Sequence, residues 1–153
     1  MATQIFMELE GIDGGTEDPN FEGYFDVVSF DMGGAYNFNP ATFSASGSAV
    51  ANPVTVVFKH DKMLATIYDY WIKRTKTNAK IVWRQFEEEE ATNAIELTLT
   101  DTFIVAVNSS VTDSEGTEVE AINSVTLTYK TFNVVTASAS GGAGGEMEFN
   151  VGG

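Results

Sequence analysis

The residues best suited to chemistry in this chain are few. His60, in "VVFKHDKML" at residues 56–64, is the only histidine, and there is no cysteine. A serine hydrolase needs serine, histidine and an acid brought together. Yet no G-x-S-x-G elbow occurs, and "ASASGG" and "ASGSA" are runs of small residues. Zinc usually takes several His or Cys ligands, which one imidazole cannot supply. The absence of cysteine removes disulfides, thiolate metal sites and a thiol nucleophile. The run "EEEE" at 87–90 offers oxygens to a hard cation but also suits a solvated hairpin tip. "DGGTED" (13–18) and "DSEG" (113–116) are fragments of calcium loops that lack the spaced ligands and distal glutamate. No glycine loop is followed by Lys-Ser/Thr, so a P-loop is excluded. His60 is expected to be part of a strand-to-helix corner, hydrogen-bonded to backbone, and no cofactor or metal is expected.

The elements that would position such residues are mostly strands. "QIFMELEGI" (4–12) alternates Ile5, Met7 and Leu9 against Gln4, Glu8 and Glu10, the period of a half-buried strand. "GGTEDPNFEG" is a turn-rich loop, and "YFDVVSFDM" (24–32) and "VTVVF" (54–58) are further strands. Between them, residues 33–53 form a long loop of small residues carrying Tyr36, Phe38 and Phe43. A loop of that length in a compact domain needs a reason to persist. Its aromatics could bind sugar or a partner protein, or pack back on the core. Strands resume at "AKIVWRQFE" (79–87), "AIELTLTDTFIVAV" (94–107) and "INSVTLTYKTFNVVT" (122–136). Residues 137–153 are a glycine-rich tail expected to be flexible, although Met147 and Phe149 could dock.

One helix is expected, over about residues 61–76. Met63, Leu64, Ile67, Tyr68, Trp71 and Ile72 recur at helical spacing. Asp61 is placed as its N-cap, and Lys73, Arg74 and Lys76 at its C-terminal end favour the macrodipole. If that stripe seals the core, truncating Trp71 should cost about 3–5 kcal/mol. The order of strands, one helix, then strands predicts a mainly β protein: an antiparallel two-sheet β-barrel with the helix packed on its side, a single domain over 1–136 followed by the tail.

The net charge is −14. Such a surface repels phosphates, so nucleic acid is not an expected partner. No apolar run is long enough to span a membrane, and the start "MATQIFMELEG" does not read as a secretory signal, so cytoplasmic synthesis is expected. The distribution is lopsided. Residues 59–84 hold Lys59, Lys62, Lys73, Arg74, Lys76, Lys80 and Arg84 and sum to +5, whereas the remainder carries −19. Either this segment simply has a soluble face, or a basic patch on one copy meets acidic surface on another.

The opening "IFMELEGIDGGTED…FEGYFDVVSFDMG" resembles that of the haemolysin-coregulated (Hcp) family, the tube subunits of type VI secretion systems. "VTVVFKHDKMLATIYDY" is similar to the family's strand, corner and helix. "IELTLTDTFIVAVNSS" and "EAINSVTLTYKTFNVV" are similar to its later strands. The likeness spans about residues 4–136; "EEEEATNA" and the glycine-rich tail depart from it. It implies a structural protein without an active site, assembling as a homohexameric ring. Rings stack into a tube inside a sheath, the tube is expelled with a spike, and some members hold small effectors. Export would then need no signal peptide. Tyr36, Phe38 and Phe43, and the basic Lys73, Arg74 and Lys76, become candidate contacts between subunits or rings. A phage-like tail-tube protein, a monomeric β-barrel binding module and a hydrolase are the competing classes.

Overall fold

The computed structural model describes residues 3–87, 90–112, 120–137 and 143–150. Nine strands and one α-helix lie among them: β1 Thr3–Leu9, β2 Phe25–Asp31, β3 Gly34–Asn39, β4 Ser44–Ala51, β5 Val54–Lys59, α1 Leu64–Lys73, β6 Thr77–Glu87, β7 Glu90–Thr112, β8 Glu120–Ala137 and β9 Ala143–Asn150. All pairings are antiparallel. The order β5-β2-β1-β6-β7-β8 closes on itself through a β5–β8 pairing, giving a six-stranded barrel. The expected mainly β barrel with one helix is thus the observed architecture. β9 continues the sheet beyond β8, and β3 and β4 form a separate two-stranded sheet.

Inward side chains fill the barrel in register. Met7 and Leu9, Phe25 and Val27, Val54, Val56 and Phe58, Ile81, Leu97, Leu99, Ile104, Val125 and Leu127 form one apolar core. The alternation predicted for β1 places Met7 and Leu9 in this core. β1 is also covered outside: Phe21 from the loop at 10–24 stacks on Phe6 with ring centroids 4.3 Å apart, beside Val82. Because the loop seals that face, Phe6 is buried although it points away from the barrel interior.

The long β7–β8 pair turns a corner at Asp101. Before it the core-facing residues are Leu97 and Leu99, opposite Val134 and Phe132; after it they are Thr102 and Ile104, opposite Tyr129 and Leu127. Asp101 sits in the left-handed region, φ 51°, which Asp tolerates better than most residues. Its N–H donates to Asn78 Oδ1 at 2.9 Å, and its carboxylate meets Lys76 Nζ at 3.7 Å.

The helix is shorter than expected, and its buried side is rotated. It starts at Leu64 with Met63 at the cap position, not Asp61. Ile67 is fully buried, and Met63, Leu64 and Tyr70 pack against the core. Trp71 is 39% exposed and Ile72 68% exposed, so the inward stripe runs through Met63, Ile67 and Tyr70 and the far end of the expected stripe faces out. Trp71 therefore cannot seal the core. The physical reason is that the helix lies mainly along β7, with Tyr70 against Gly11, and buries a narrower strip than a helix roofing the whole barrel. Arg74 ends it in the left-handed conformation, φ 55°, with its N–H donating to Trp71 O at 3.3 Å.

Two segments expected to lack regular structure are strands. Residues 33–53 contain the β3–β4 hairpin, and the tail contains β9, which pairs with β8 through Val134↔Met147 and Phe132↔Phe149. In both, backbone pairing satisfies N–H and C=O groups that an irregular segment would leave to water.

Candidate assembly surfaces

The corner at His60 carries architecture. His60 is exposed, and its backbone N–H donates to Ala121 O at 3.1 Å, extending the β5–β8 ladder by one residue. The chemically committed side chain is its neighbour. Asp61 is 8% exposed. One carboxylate oxygen accepts from Met63 N at 2.9 Å, a local turn that starts the helix approach. The other accepts from Gly15 N at 2.7 Å, tying the loop at 10–24 to the corner. Charge-assisted bonds of this kind are among the stronger ones in proteins. Asp61 thus staples two segments; it does not cap the helix as expected.

The acidic fragments are likewise used locally where they are described. Asp18 accepts from Asn20 N at 2.9 Å at the start of a short 3-10 turn, Pro19–Phe21. Asp26 accepts from the Thr16 hydroxyl at 2.7 Å. Among the described residues no group of three His, Asp or Glu side chains converges to hold a metal ion. Residues 88–89 and 113–116 lie outside the described residues. Two phenols depart from ordinary behaviour: burial first, then Glu8 and Glu96, raises the pKa of Tyr24, and burial raises that of Tyr129. Tyr129 remains a donor at neutral pH, and its hydroxyl reaches Asn52 O at 3.0 Å, where the hairpin rejoins the barrel.

The hairpin itself is the first candidate surface. Every residue of β3 is exposed. Tyr36, Phe38, Phe43 and Val50 offer their apolar surface to solvent, Phe43 at 83%. Phe43 stands at the turn with φ 50°, a conformation that costs a residue with a Cβ about 1–2 kcal/mol. Its ring meets Phe38 edge-on, centroids 5.2 Å apart, and buries little in return. Between Asp31 and Lys59 the sequence has no charged residue at all, a run that sequence reasoning passed over. The structure groups Tyr36, Phe38 and Phe43 on one projecting ribbon, as their shared loop suggested.

The basic residues form a second surface, separate from the first. Lys73 pairs with Asp69 at 3.1 Å and Lys76 with Asp101 at 3.7 Å, all four well exposed. Two of the three expected interface cations therefore have partners within the chain. Arg74 lies on a hollow of about 360 Å³ with Trp71, Phe103, Ile104, Val105 and Thr128. Here an apolar floor meets one guanidinium, beside the part of β7 past Thr102 that pairs only with β8.

β9 is the third feature, and sequence reasoning missed it. The signal available was the alternation Glu146, Met147, Glu148, Phe149. Phe149 lies against Phe132, centroids 5.5 Å apart. Together with Gly33, Gly34, Ala35, Tyr36, Val50 and Ala51 they border an apolar groove of about 220 Å³ at the hairpin's base. Among the described residues no helix is long and apolar enough to cross a membrane.

Comparisons with known proteins agree with this architecture. The fold matches Hcp1 from E. coli EAEC 042, in an N93W-S158W mutant form, at TM-score 0.78 and 14% identity, covering 98% of each chain. It matches Hcp1 from Salmonella typhimurium at 0.72 and 19%, covering 98% of this chain and 95% of that one. Secreted protein Hcp3 from Pseudomonas aeruginosa matches at 0.72 and 15%, covering 98% and 99%. No curated protein sequence matches the chain. The family described as "Type VI secretion system effector, Hcp" matches residues 6–135, most of the barrel and its helix, and the chain therefore belongs to the Hcp family of type VI secretion.

Proposed function

We propose that this chain is a structural subunit that assembles as a homohexameric ring, and that its rings stack into the tube expelled by a type VI secretion apparatus. The observation that carries the stacking step is the hairpin, Gly34–Ala51: it stands off a closed barrel, only Ala51 at its base packs against the core, and it presents Tyr36, Phe38 and Phe43 to solvent. Apolar side chains held off the core on a paired ribbon serve contacts outside the subunit. Family membership supplies the rest of the reading. A tube of this kind runs inside a sheath, carries a spike at its end and holds small effector proteins within its rings. It is made in the cytoplasm and leaves through the apparatus. No step asks for catalysis by the chain, a cofactor, nucleic acid or membrane insertion.

Native mass spectrometry and negative-stain imaging of the purified chain test this directly. Six-membered rings with an open centre, stacking as concentration rises, are expected. A chain that stays monomeric at every concentration would overturn the reading. Replacing residues 33–53 with a short Gly/Ser turn should leave a folded barrel whose rings stack poorly; normal stacks from the shortened chain would remove the hairpin's role.

A further inference from the structure

The hollow at the end of α1 has a counterpart of opposite charge on the other side of the barrel. In the closed order β5-β2-β1-β6-β7-β8, strands β2 and β7 are three apart whichever way the barrel is followed. The hollow of about 360 Å³ lies against β7, where Phe103 and Val105 point outward beside Trp71 and Arg74. A cleft of about 560 Å³ lies against β1 and β2, bordered by Glu17, Asp18, Asp26, Val28 and Lys59. Three carboxylates against one ammonium leave the cleft a net −2.

Arg74 is the informative residue of the hollow. It ends the helix at φ 55°, a position that glycine usually fills because a Cβ is strained there. Its backbone N–H closes the helix, so the guanidinium is not needed for that role. Among the described residues Lys73 and Lys76 have carboxylate partners and Arg74 has none. Trp71, Phe103 and Val105 around it are between 37% and 47% exposed. An arginine set among half-covered aromatic and aliphatic side chains has the composition of an interface centre. In the cleft the carboxylates are held ready. Asp26 accepts from the Thr16 hydroxyl at 2.7 Å and Asp18 from Asn20 N at 2.9 Å, and each keeps a second oxygen. Glu17 is exposed, and Val28, 48% exposed, gives the cleft an apolar margin. A planar guanidinium matches carboxylate oxygens in pairs, and the apolar side chains around it match Val28.

We infer that Arg74 and its apolar surround dock on the cleft of Glu17, Asp18 and Asp26 of a second copy. One chain cannot join the two patches, since they face outward from opposite walls. Each copy carries −14, so copies meet most favourably where a cation of one enters carboxylates of the other. The contact joins unlike patches, so every copy gives one and receives one, and the series closes into a ring when each step turns by the right angle. This rests on the ring reading above and names residues for its side-to-side contact.

Mixing two variants tests the pairing. Arg74→Glu reverses the charge of the hollow. Glu17→Lys with Asp26→Asn reverses the cleft, setting the introduced lysine and Lys59 against Asp18, and the introduced amide still accepts from the Thr16 hydroxyl. Both variants are expected to keep the parent's denaturation midpoint. At concentrations where the parent gives rings, native mass spectrometry should find each variant alone as a monomer. Their mixture should restore rings in which the two alternate, three of each in a ring of six, because both contacts then join opposite charges. Arg74→Gly is the second arm. It removes the strain together with the side chain, so the midpoint should rise while rings require about tenfold more protein. Either charge variant forming rings alone as the parent does, or a mixture that restores no rings or combines at random, overturns this inference and leaves the tube reading standing. If either charge variant fails to fold, Arg74→Gly decides: rings at parental concentrations overturn the inference. A parent that forms no rings overturns both.

Discussion

Strands β5 and β3 have the same length, six residues each, and both carry apolar side chains at alternate positions. β5 buries Val54, Val56 and Phe58 and is paired along both edges, by β2 and β8. β3 buries nothing and pairs along one edge, with β4. Equal patterning has unequal consequences because alternation fixes which side chains share a face, not whether a partner covers that face. In β5 the partner is the rest of the barrel. In β3 nothing within the chain covers the aromatic residues, and the proposed contacts beyond the subunit would do so.

The largest expected effect breaks this comparison if it is wrong. Phe58→Ala empties a fully buried position and should destabilise the chain by about 3–5 kcal/mol. Phe38→Ala on the hairpin should change stability by no more than about 0.5 kcal/mol, as exposed substitutions usually do. Denaturant midpoints measured side by side decide it. Comparable losses would mean that the hairpin is part of the folding unit.

Next in size is the staple. Asp61→Ala leaves Gly15 N and Met63 N without their acceptor. Bonds to a charged group contribute about 1.5–3 kcal/mol each net of water, so a loss of at least about 3 kcal/mol is expected. Asp61→Asn keeps one acceptor oxygen and should lose less. His60→Gln, one residue away but exposed, should leave folding and assembly intact. If His60→Gln costs as much as Asp61→Ala, the imidazole holds the corner and the carboxylate does not.

The barrel strands were legible in the sequence because burial on the core face enforces period two in Ile5-Met7-Leu9 and Val125-Leu127-Tyr129. The corner at 56–64 was legible as a strand end followed by a helix, but Asp61 was misassigned. A carboxylate ahead of a helix suits an N-cap as well as a turn, and Gly15, its second donor, is 46 residues away in sequence. The helix face was misjudged for a related reason: Trp71 and Ile72 fit the stripe by spacing, and only the width of the surface beneath decides which apolar residues are covered. The hairpin and β9 were hidden by their glycines, alanines and serines, which weaken strand propensity. Their large apolar pairs, Tyr36 with Phe38 and Met147 with Phe149, kept the strand period. The groove was illegible, since it joins residues 33–36 to 132 and 149 and exists only once the chain has folded.

Two smaller effects sharpen the contrast by having opposite signs. Trp71→Ala removes a side chain that is part covered, so a loss near 1 kcal/mol is expected rather than the 3–5 kcal/mol of a buried aromatic. Phe43→Gly should raise stability by up to about 1 kcal/mol, because glycine takes φ 50° without strain, while abolishing stacking. Thermal melts read the first quantity and imaging of stacks the second. A Phe43→Gly chain that is less stable than its parent would show that the Phe38–Phe43 contact outweighs the strain.

The smallest effect on stability is expected from the basic segment. Reversing Lys73, Arg74 and Lys76 to glutamate removes two exposed ion pairs and sets like charges against Asp69 and Asp101. Exposed pairs contribute about 0.2–1 kcal/mol, so the barrel should remain folded. The effect on assembly is where the two surfaces part. If Arg74 on its apolar hollow meets acid on a neighbouring subunit, the reversal weakens that interface at low salt, and the defect shrinks as salt screens the repulsion over a Debye length of about 8 Å at physiological ionic strength. The uncharged hairpin has no such term of its own, so moderate salt should lengthen parental stacks by screening the −14 that each copy carries. A light-scattering salt series on parent and triple variant separates these. Parallel curves would reduce the basic segment to a soluble face, and parental stacks that shorten with salt would place electrostatic attraction, not apolar contact, at the junction between rings.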